Sequence, residues 1–319
     1  MKHSIPRAAA LTLAAALLLI LCACTAAQSE SHTDAPYCTF TDALGTTVTL
    51  AHKPQRVAVL FSSFAGLWRT AGGEVAITVG ESVERGFADA SAILVDDGAG
   101  KSVNTELLLA AKPDLVLCSA DIEAQVKAAA LVRRAGISAA CLRVETFDDY
   151  LAALRICTNI TGDDDAYREH GEAVKARIDE LFASLDTARP QKRILFIRAG
   201  SGAGATKAKT ANEHFAAAML RELGTYNIAE NAPVLLDGLS IEEILREDPD
   251  YIFISPMGSE QAARAYMDAV LSQDAWQSLT AVRNGCYVYL PKELFQFKPN
   301  ERWAEAYEYL IETLYEKEN

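Results

Sequence analysis

One repeated stretch constrains the fold of this chain more than any other feature. "VNTELLLAAKPDLVLC" (103–118) returns in outline, 136 residues later, as "LSIEEILREDPDYIFI" (239–254). Each copy opens on a small polar residue (Asn104, Ser240) and places a glutamate two positions on (Glu106, Glu242). An apolar helical stretch then leads to Pro-Asp (Pro113-Asp114, Pro249-Asp250) and a run of strand formers. A small polar residue ahead of an apolar stretch is a helix start, and proline stops a helix. Each copy therefore reads as helix, turn and strand, and the chain carries that unit once in each half.

The flanking pattern extends this into two α/β regions. Residues 37–50, "YCTFTDALGTTVTL", alternate and turn at Asp42–Gly45, which predicts a β-hairpin. "RVAVL" is a short strand, and "FSSFAGLWRTAGG" a helix closed by Gly72-Gly73. "VAITVG", "AILV", "DLVLC" and "SAACLRV" continue as strands, with helical patterns between them at about 104–111 and 121–135. Strands alternating with helices imply a largely parallel sheet. From about 146 the pattern becomes helical. "TFDDYLAALRICTNITG" is one helix, and 163–189 a second that starts on Asp163–Asp165, keeps an apolar stripe from Ala166 to Leu185 and stops at Pro190. The α/β alternation then restarts with "QKRILFIRAG" and runs to the terminal helix "NERWAEAYEYLIETLYEKE".

At 319 residues the chain is long enough for two cores, and its half-apolar, quarter-charged composition is that of a globular protein. Net charge is −13; losing the first 23 residues removes Lys2 and Arg7 and no acid, leaving −15. That acidity argues against nucleic acid and against adsorption to anionic lipid. "MKHSIPR" followed by the apolar "AAALTLAAALLLIL" (8–21) has the length of a secretory signal rather than a membrane span. It ends in Leu21-Cys22-Ala23-Cys24, which resembles a bacterial lipobox with Cys24 as the lipidated residue. Residues 1–23 then form a signal peptide and 24–37 an anchor and polar tether; an uncleaved anchor or a plain secretory signal are the alternatives. The five later cysteines show no CxxC and no metal-like spacing; Cys118, Cys141 and Cys157 read as buried hydrophobes.

Several features in order resemble the substrate-binding protein of a bacterial ABC importer. They are the lipobox, "RVAVLFSSFAGLW", "N-x-E-x-L-L-x-x-K-P-D-L-V" (Asn104 to Val116), the 163–189 helix, the repeat, and "W-x-x-L-x-A-V-x-N-G" (Trp276 to Gly285). The subgroup they resemble joins its lobes through one long helix and carries ferric siderophores, haem or cobalamin. The resemblance implies two α/β lobes joined by one long rigid helix, with the ligand cleft between them. The lobes are then 38–146 and 190–319, with a helical linker at 147–189. It implies a monomer with no catalytic activity and no cofactor, anchored on the extracytoplasmic face of the cell membrane. Its partners are a small-molecule ligand and a permease with its ATPase, and no nucleic acid. In such proteins an acidic residue on each lobe docks into basic pockets of the permease. By motif position these are Glu106 and Glu242, with Glu243 the alternative in the second lobe. A first-turn glutamate at the positive end of a helix dipole also needs no partner to explain it.

In open α/β sheets ligands collect outside the carboxyl ends of the strands. That rule nominates Phe61, Ser62, Ser63, Phe64 and Trp68, then Glu81, Arg85 and Asp121, in the first half. In the second it nominates Arg198, Lys207, Met257, Phe295, Phe297, Lys298 and Arg302. The aromatics supply apolar walls, and the cations neutralise carboxylates or a catecholate–iron complex. "GSGAGA" (200–205) matches a dinucleotide fingerprint only weakly, because "TKAKTANE" intervenes before the next helix. Neither a P-loop nor a G-x-S-x-G or HExxH motif is present. A bare-metal binder needs several histidines and only His214 is well placed, so no metal site is expected. For haem, Met257 and His214 are the axial candidates. The sequence leaves siderophore, haem and cobalamin open, with an iron complex favoured; a same-fold lipoprotein that binds a metal ion or acts as a non-transport scaffold is the alternative.

Overall fold

Two parallel sheets organise the chain in a computed structural model that describes residues 35–96, 102–186 and 188–316. Ahead of them the expected hairpin forms. β1 (Cys38–Thr41) pairs antiparallel with β2 (Thr47–Leu50), and Asp42 Oδ1 accepts the Leu44 and Thr46 amides to close the turn. The first sheet contains β3 (Val57–Val59), β4 (Ile77–Thr78), β5 (Ile93–Leu94), β6 (Leu115–Ser119) and β7 (Ser138–Leu142). Its order is β5-β4-β3-β6-β7, all parallel. The second contains β8 (Arg193–Ala199), β9 (Lys207–Ala208), β10 (Tyr226–Asn227), β11 (Tyr251–Pro256) and β12 (Tyr287–Tyr289). Its order is β10-β8-β11-β12, parallel, with β9 antiparallel on β8. The strand order reverses between β3 and β6 in one sheet and between β8 and β11 in the other. Neighbouring loops must diverge at such a reversal, which opens a crevice at the carboxyl ends.

The repeat is a joint at the base of each sheet. Asp114 accepts the amides of Gln55 and Arg56 and returns its own amide to the Arg56 carbonyl, just ahead of β3. Asp250 accepts the Arg193 amide and donates to the Arg193 carbonyl at the start of β8. In both copies the residue before the proline, Lys112 (φ 51°) or Asp248 (φ 37°), takes the left-handed conformation that turns the chain from helix to strand. The helix starts differ. Asn104 caps Thr105–Ala110 by accepting from the Glu106 and Leu107 amides. Ser240 makes no such cap on Ile241–Glu247 and bonds Glu242 Oε2 instead, at 3.2 Å.

Two helices follow the first sheet. Phe147–Thr161 starts on a capping box between Thr146 and Asp149 and ends at left-handed Gly162. Tyr150, Ala153, Leu154, Cys157 and Ile160 form its buried face, and each large side chain so buried contributes about 1.5–3 kcal/mol. The second helix, expected over 163–189, stops at Ala183. It runs Asp164–Tyr167, a π turn at Arg168–Glu172, and Ala173–Ala183, a rod of about 30 Å. Ser184 Oγ donates to the Leu181 carbonyl and Asp186 Oδ1 accepts the Ala188 amide, and these local bonds compete with further helix. Beyond β4, Gly80–Glu84 forms a helical turn that carries Glu81.

One apolar cluster runs from the first sheet through Tyr150, Leu154, Ile178 and Leu181 to Phe196, Phe215, Trp303 and Leu310 of the second. Each sheet also has its own outer core. Trp68 belongs to the shared core: it is buried, and its indole N–H donates to the Glu74 carbonyl at 2.9 Å. Its ring leaves no space for a side chain at position 73, where a Cβ atom would lie 2.1 Å from Trp68 Cε2. Phe64 and Phe295 are buried in that core as well. Cys118 and Cys141, register partners on β6 and β7, are buried free thiols with sulfurs 3.2 Å apart.

Candidate functional site

The crevices at the two strand-order reversals face one another and form a single cavity of about 290 Å³. Phe61, Glu81, Ile122 and Glu145 line it from the first lobe. Arg198, Ser255 and Met257 follow β8 and β11 on the opposite side, with Glu213, His214, Phe215, Gln296, Phe297 and Lys298. A larger depression of about 710 Å³ lies near Lys192, Tyr251 and Tyr287, at the amino ends of β8, β11 and β12. Those ends carry no diverging loops, so the inter-lobe cavity is the candidate site.

Side chains from both lobes interlock around it. Lys298 Nζ bonds Glu145 Oε1 at 2.7 Å across the cavity and sits 4.7 Å from the centre of the Phe215 ring. The Arg85 guanidinium stacks on Phe297 at 3.8 Å and on Phe87 at 4.6 Å. It also donates to Ser62 Oγ (3.0 Å) and Ser63 Oγ (3.2 Å), while the Ser62 hydroxyl bonds Glu81. Burial pulls the Arg85 pKa down, opposed by Glu293, Glu81 and Glu301. Asn300 donates its side-chain amide to the Ser63 carbonyl at 2.8 Å, tying the second lobe to the helix after β3.

Two cations are left over. Arg198 and Lys207 are register partners on β8 and β9, so they stand side by side on one face of the sheet. Neither side chain has an ion-pair or hydrogen-bond partner among the described residues. Desolvation by the cavity walls lowers the Arg198 pKa from its ordinary value, and a guanidinium so lowered still keeps its charge. Nearby Glu213 is committed. Burial favours its neutral form, but the Thr210 amide, Lys209 and the Thr210 hydroxyl outweigh that and hold its pKa low.

His214 ends the extended segment before the helix Phe215–Glu222 and caps it, its Nδ1 accepting the Ala216 amide at 3.2 Å. A neutral imidazole carries one proton, so with Nδ1 accepting, that proton lies on Nε2. Burial, then Lys298, Arg198 and Lys209, hold its pKa at about 3.

Of the residues nominated from sequence, Phe61, Glu81, Arg198, Met257, Phe297 and Lys298 line the cavity. Ser62, Ser63 and Arg85 stand behind that lining, and Lys207 flanks Arg198. Phe64, Trp68 and Phe295 are core side chains rather than cavity walls. Asp121 is ion-paired to Arg143 at 2.7 Å, beside the lining Ile122. Arg302 is held by both oxygens of Glu305, at 2.6 and 2.7 Å, at the start of its own helix. Glu145, Glu213, Phe215, Ser255 and Gln296 went unnamed in the sequence. Glu145 follows the carboxyl end of β7, so the same loop rule reaches it. Cys24 lies outside the described residues.

The family model described as "Periplasmic binding protein" matches residues 57–294, three-quarters of the chain. The chain belongs to the periplasmic binding protein family. Its two α/β lobes and inter-lobe cavity are those of a solute-binding protein of that family. A search of curated proteins finds no match. Solved structures share the fold at low identity. A periplasmic solute binding protein from Veillonella parvula DSM 2008 aligns with a TM-score of 0.68 at 18% identity, over 88% of this chain and 87% of its own. Staphylococcus aureus SirA, complexed with staphyloferrin B, gives 0.63 at 16%, over 87% and 98%. The haem binding protein HmuT gives 0.65 at 18%, over 91% and 93%.

Proposed function

We propose that this periplasmic binding protein captures an anionic iron complex, a ferric siderophore, and delivers it to an ABC importer. The observation that carries the reading is the pair of unpartnered cations, Arg198 and Lys207, beside the cavity of a protein whose net charge is −13. An anion entering such a site exchanges water for charge-assisted bonds without first breaking a protein ion pair. Phe61, Phe215 and Phe297 supply the apolar walls that small-molecule sites use.

The neighbours divide between siderophore and haem. SirA is complexed with staphyloferrin B, and HmuT is a haem binding protein. Haem iron requires an axial donor from the protein, whereas a siderophore brings all its own ligands. Here His214 Nε2 holds a proton and has no lone pair to give, and Met257 is the other candidate donor lining the cavity. That favours the siderophore. Cobalamin carries no net negative charge and so does not match the unpaired cations Arg198 and Lys207.

The experiment is an equilibrium titration of the full chain with ferric siderophores, haem and cobalamin, followed by tryptophan fluorescence and visible absorbance. Trp303 lies 5.8 Å from Phe215, a wall of the cavity, and is the reporter. Anchoring through Cys24 on the extracytoplasmic membrane face belongs to the same proposal and rests on Leu21–Cys24 and the apolar 8–21 segment. Wild type should incorporate labelled palmitate and Cys24→Ala should not; an unlabelled wild type, or label retained in Cys24→Ala, rules out lipidation at Cys24.

A further inference from the structure

The second-lobe wall of the cavity carries a feature that the anion reading does not by itself require. His214 is fixed at three points. Its Nδ1 accepts the Ala216 amide at 3.2 Å, its ring stacks on Phe215 (5.1 Å, 19°), and the Phe196 ring packs against it at 4.7 Å, tilted by 44°. A ring held this way cannot rotate to exchange its two nitrogens without giving up the helix cap. The proton is therefore confined to Nε2, which has no hydrogen-bond partner among the described residues, on a side chain that lines the cavity.

The charged groups facing this ring keep it neutral. Arg198 on β8, Lys209 after β9 and Lys298 before the terminal helix all oppose a second proton. Glu213, the adjacent carboxylate, is turned to Thr210 and Lys209. Arginine, lysine and an Nε2–H imidazole are all donors with no acceptor lone pair, so Arg198, Lys298 and His214 make a wall of donors. Carboxylates of the first lobe, Glu81 and Glu145, line the opposite side.

We propose that His214 is a specificity-determining residue that donates its Nε2–H to an oxygen acceptor of the cargo and does not ligate metal. The cargo's acceptor oxygens then face the second lobe. The role rests on the siderophore reading; the proton's position does not, and the two are tested separately.

The first test uses the full chain in detergent with nitrogen-15-labelled histidine, assigning His214 by its absence from the His214→Gln spectrum. Long-range proton–nitrogen correlations should show the Nε2–H form, without titration, from pH 5 to 8. An Nδ1–H form, or a titration in that range, overturns the lock. The second test measures affinity for ferric citrate and ferric enterobactin. His214→Gln, which keeps a side-chain N–H, should stay within about threefold of wild type, and His214→Phe should lose about tenfold or more. Wild-type affinity in His214→Phe overturns this role alone, while a wild type that binds neither probe overturns the siderophore reading and the role with it. A haem spectrum that loses an imidazole-ligand band in His214→Gln overturns the exclusion from metal.

Discussion

Replacing both Arg198 and Lys207 by glutamine lowers affinity for a ferric chelate with free carboxylate or catecholate oxygens by about 100-fold or more. Each charge-assisted bond to a desolvated anion is worth about 1.5–3 kcal/mol, and each 1.4 kcal/mol is tenfold in the dissociation constant. Two such bonds set the lower bound. Neither cation has an ion-pair partner among the described residues, so the fold loses little when they go, and the melting temperature should stay within a few degrees. Lys209 and Arg302 are the matched controls. They carry the same charge but are held by Glu213 and Glu305, and glutamine at either position should cost far less. Binding of the double variant within about threefold of wild type would remove the anion site from the account.

Reversing charge at both Glu106 and Glu242 abolishes uptake and leaves ligand affinity unchanged. Glu106 is exposed with no side-chain partner among the described residues, and Glu242 is exposed with only a local bond to Ser240. Glu243, the other candidate in the second lobe, is half-buried and paired to Arg246. Of the two, Glu242 is the one free to meet another protein. Leu107 and Leu245, two of the few large apolar side chains left exposed among the described residues, lie one and three positions beyond the glutamates. Losing one partner of a desolvated interface charge pair costs about 2–5 kcal/mol, and lysine adds repulsion, so radio-iron uptake should fall at least ~30-fold. Uptake that survives both reversals contradicts docking through these helices. Loss of affinity instead would place the glutamates near the ligand rather than the permease.

Much of this arrangement was legible in the sequence because local chemistry repeats. The two Pro-Asp copies each close the base of a sheet with the same exchange of backbone bonds, and that constraint survives even where Asn104 caps its helix and Ser240 does not. The carboxyl-end rule found Phe61, Arg198, Met257 and Phe297, since strand ends can be read from apolar runs. It failed where orientation decides. Trp68, Phe64 and Phe295 lie in the right segments, yet helix phase turns them into the shared core. Arg302 looked like a free cation until Glu305, three residues on, claimed it. The role of His214 was out of reach because the tautomer depends on one backbone amide, Ala216, that only the folded chain brings to Nδ1. The strut ended early for a similar reason, with Ser184 and Asp186 bonding their own backbone inside an otherwise continuous apolar stripe.

The titration of the full chain bears most directly on what this protein carries. The account predicts saturable quenching of tryptophan fluorescence by at least one anionic ferric siderophore, weakened by salt. It predicts no such response to cobalamin, and a haem spectrum without a histidine ligand. Tight haem binding with a histidine-ligated Soret band, or silence toward every ferric chelate, would contradict it.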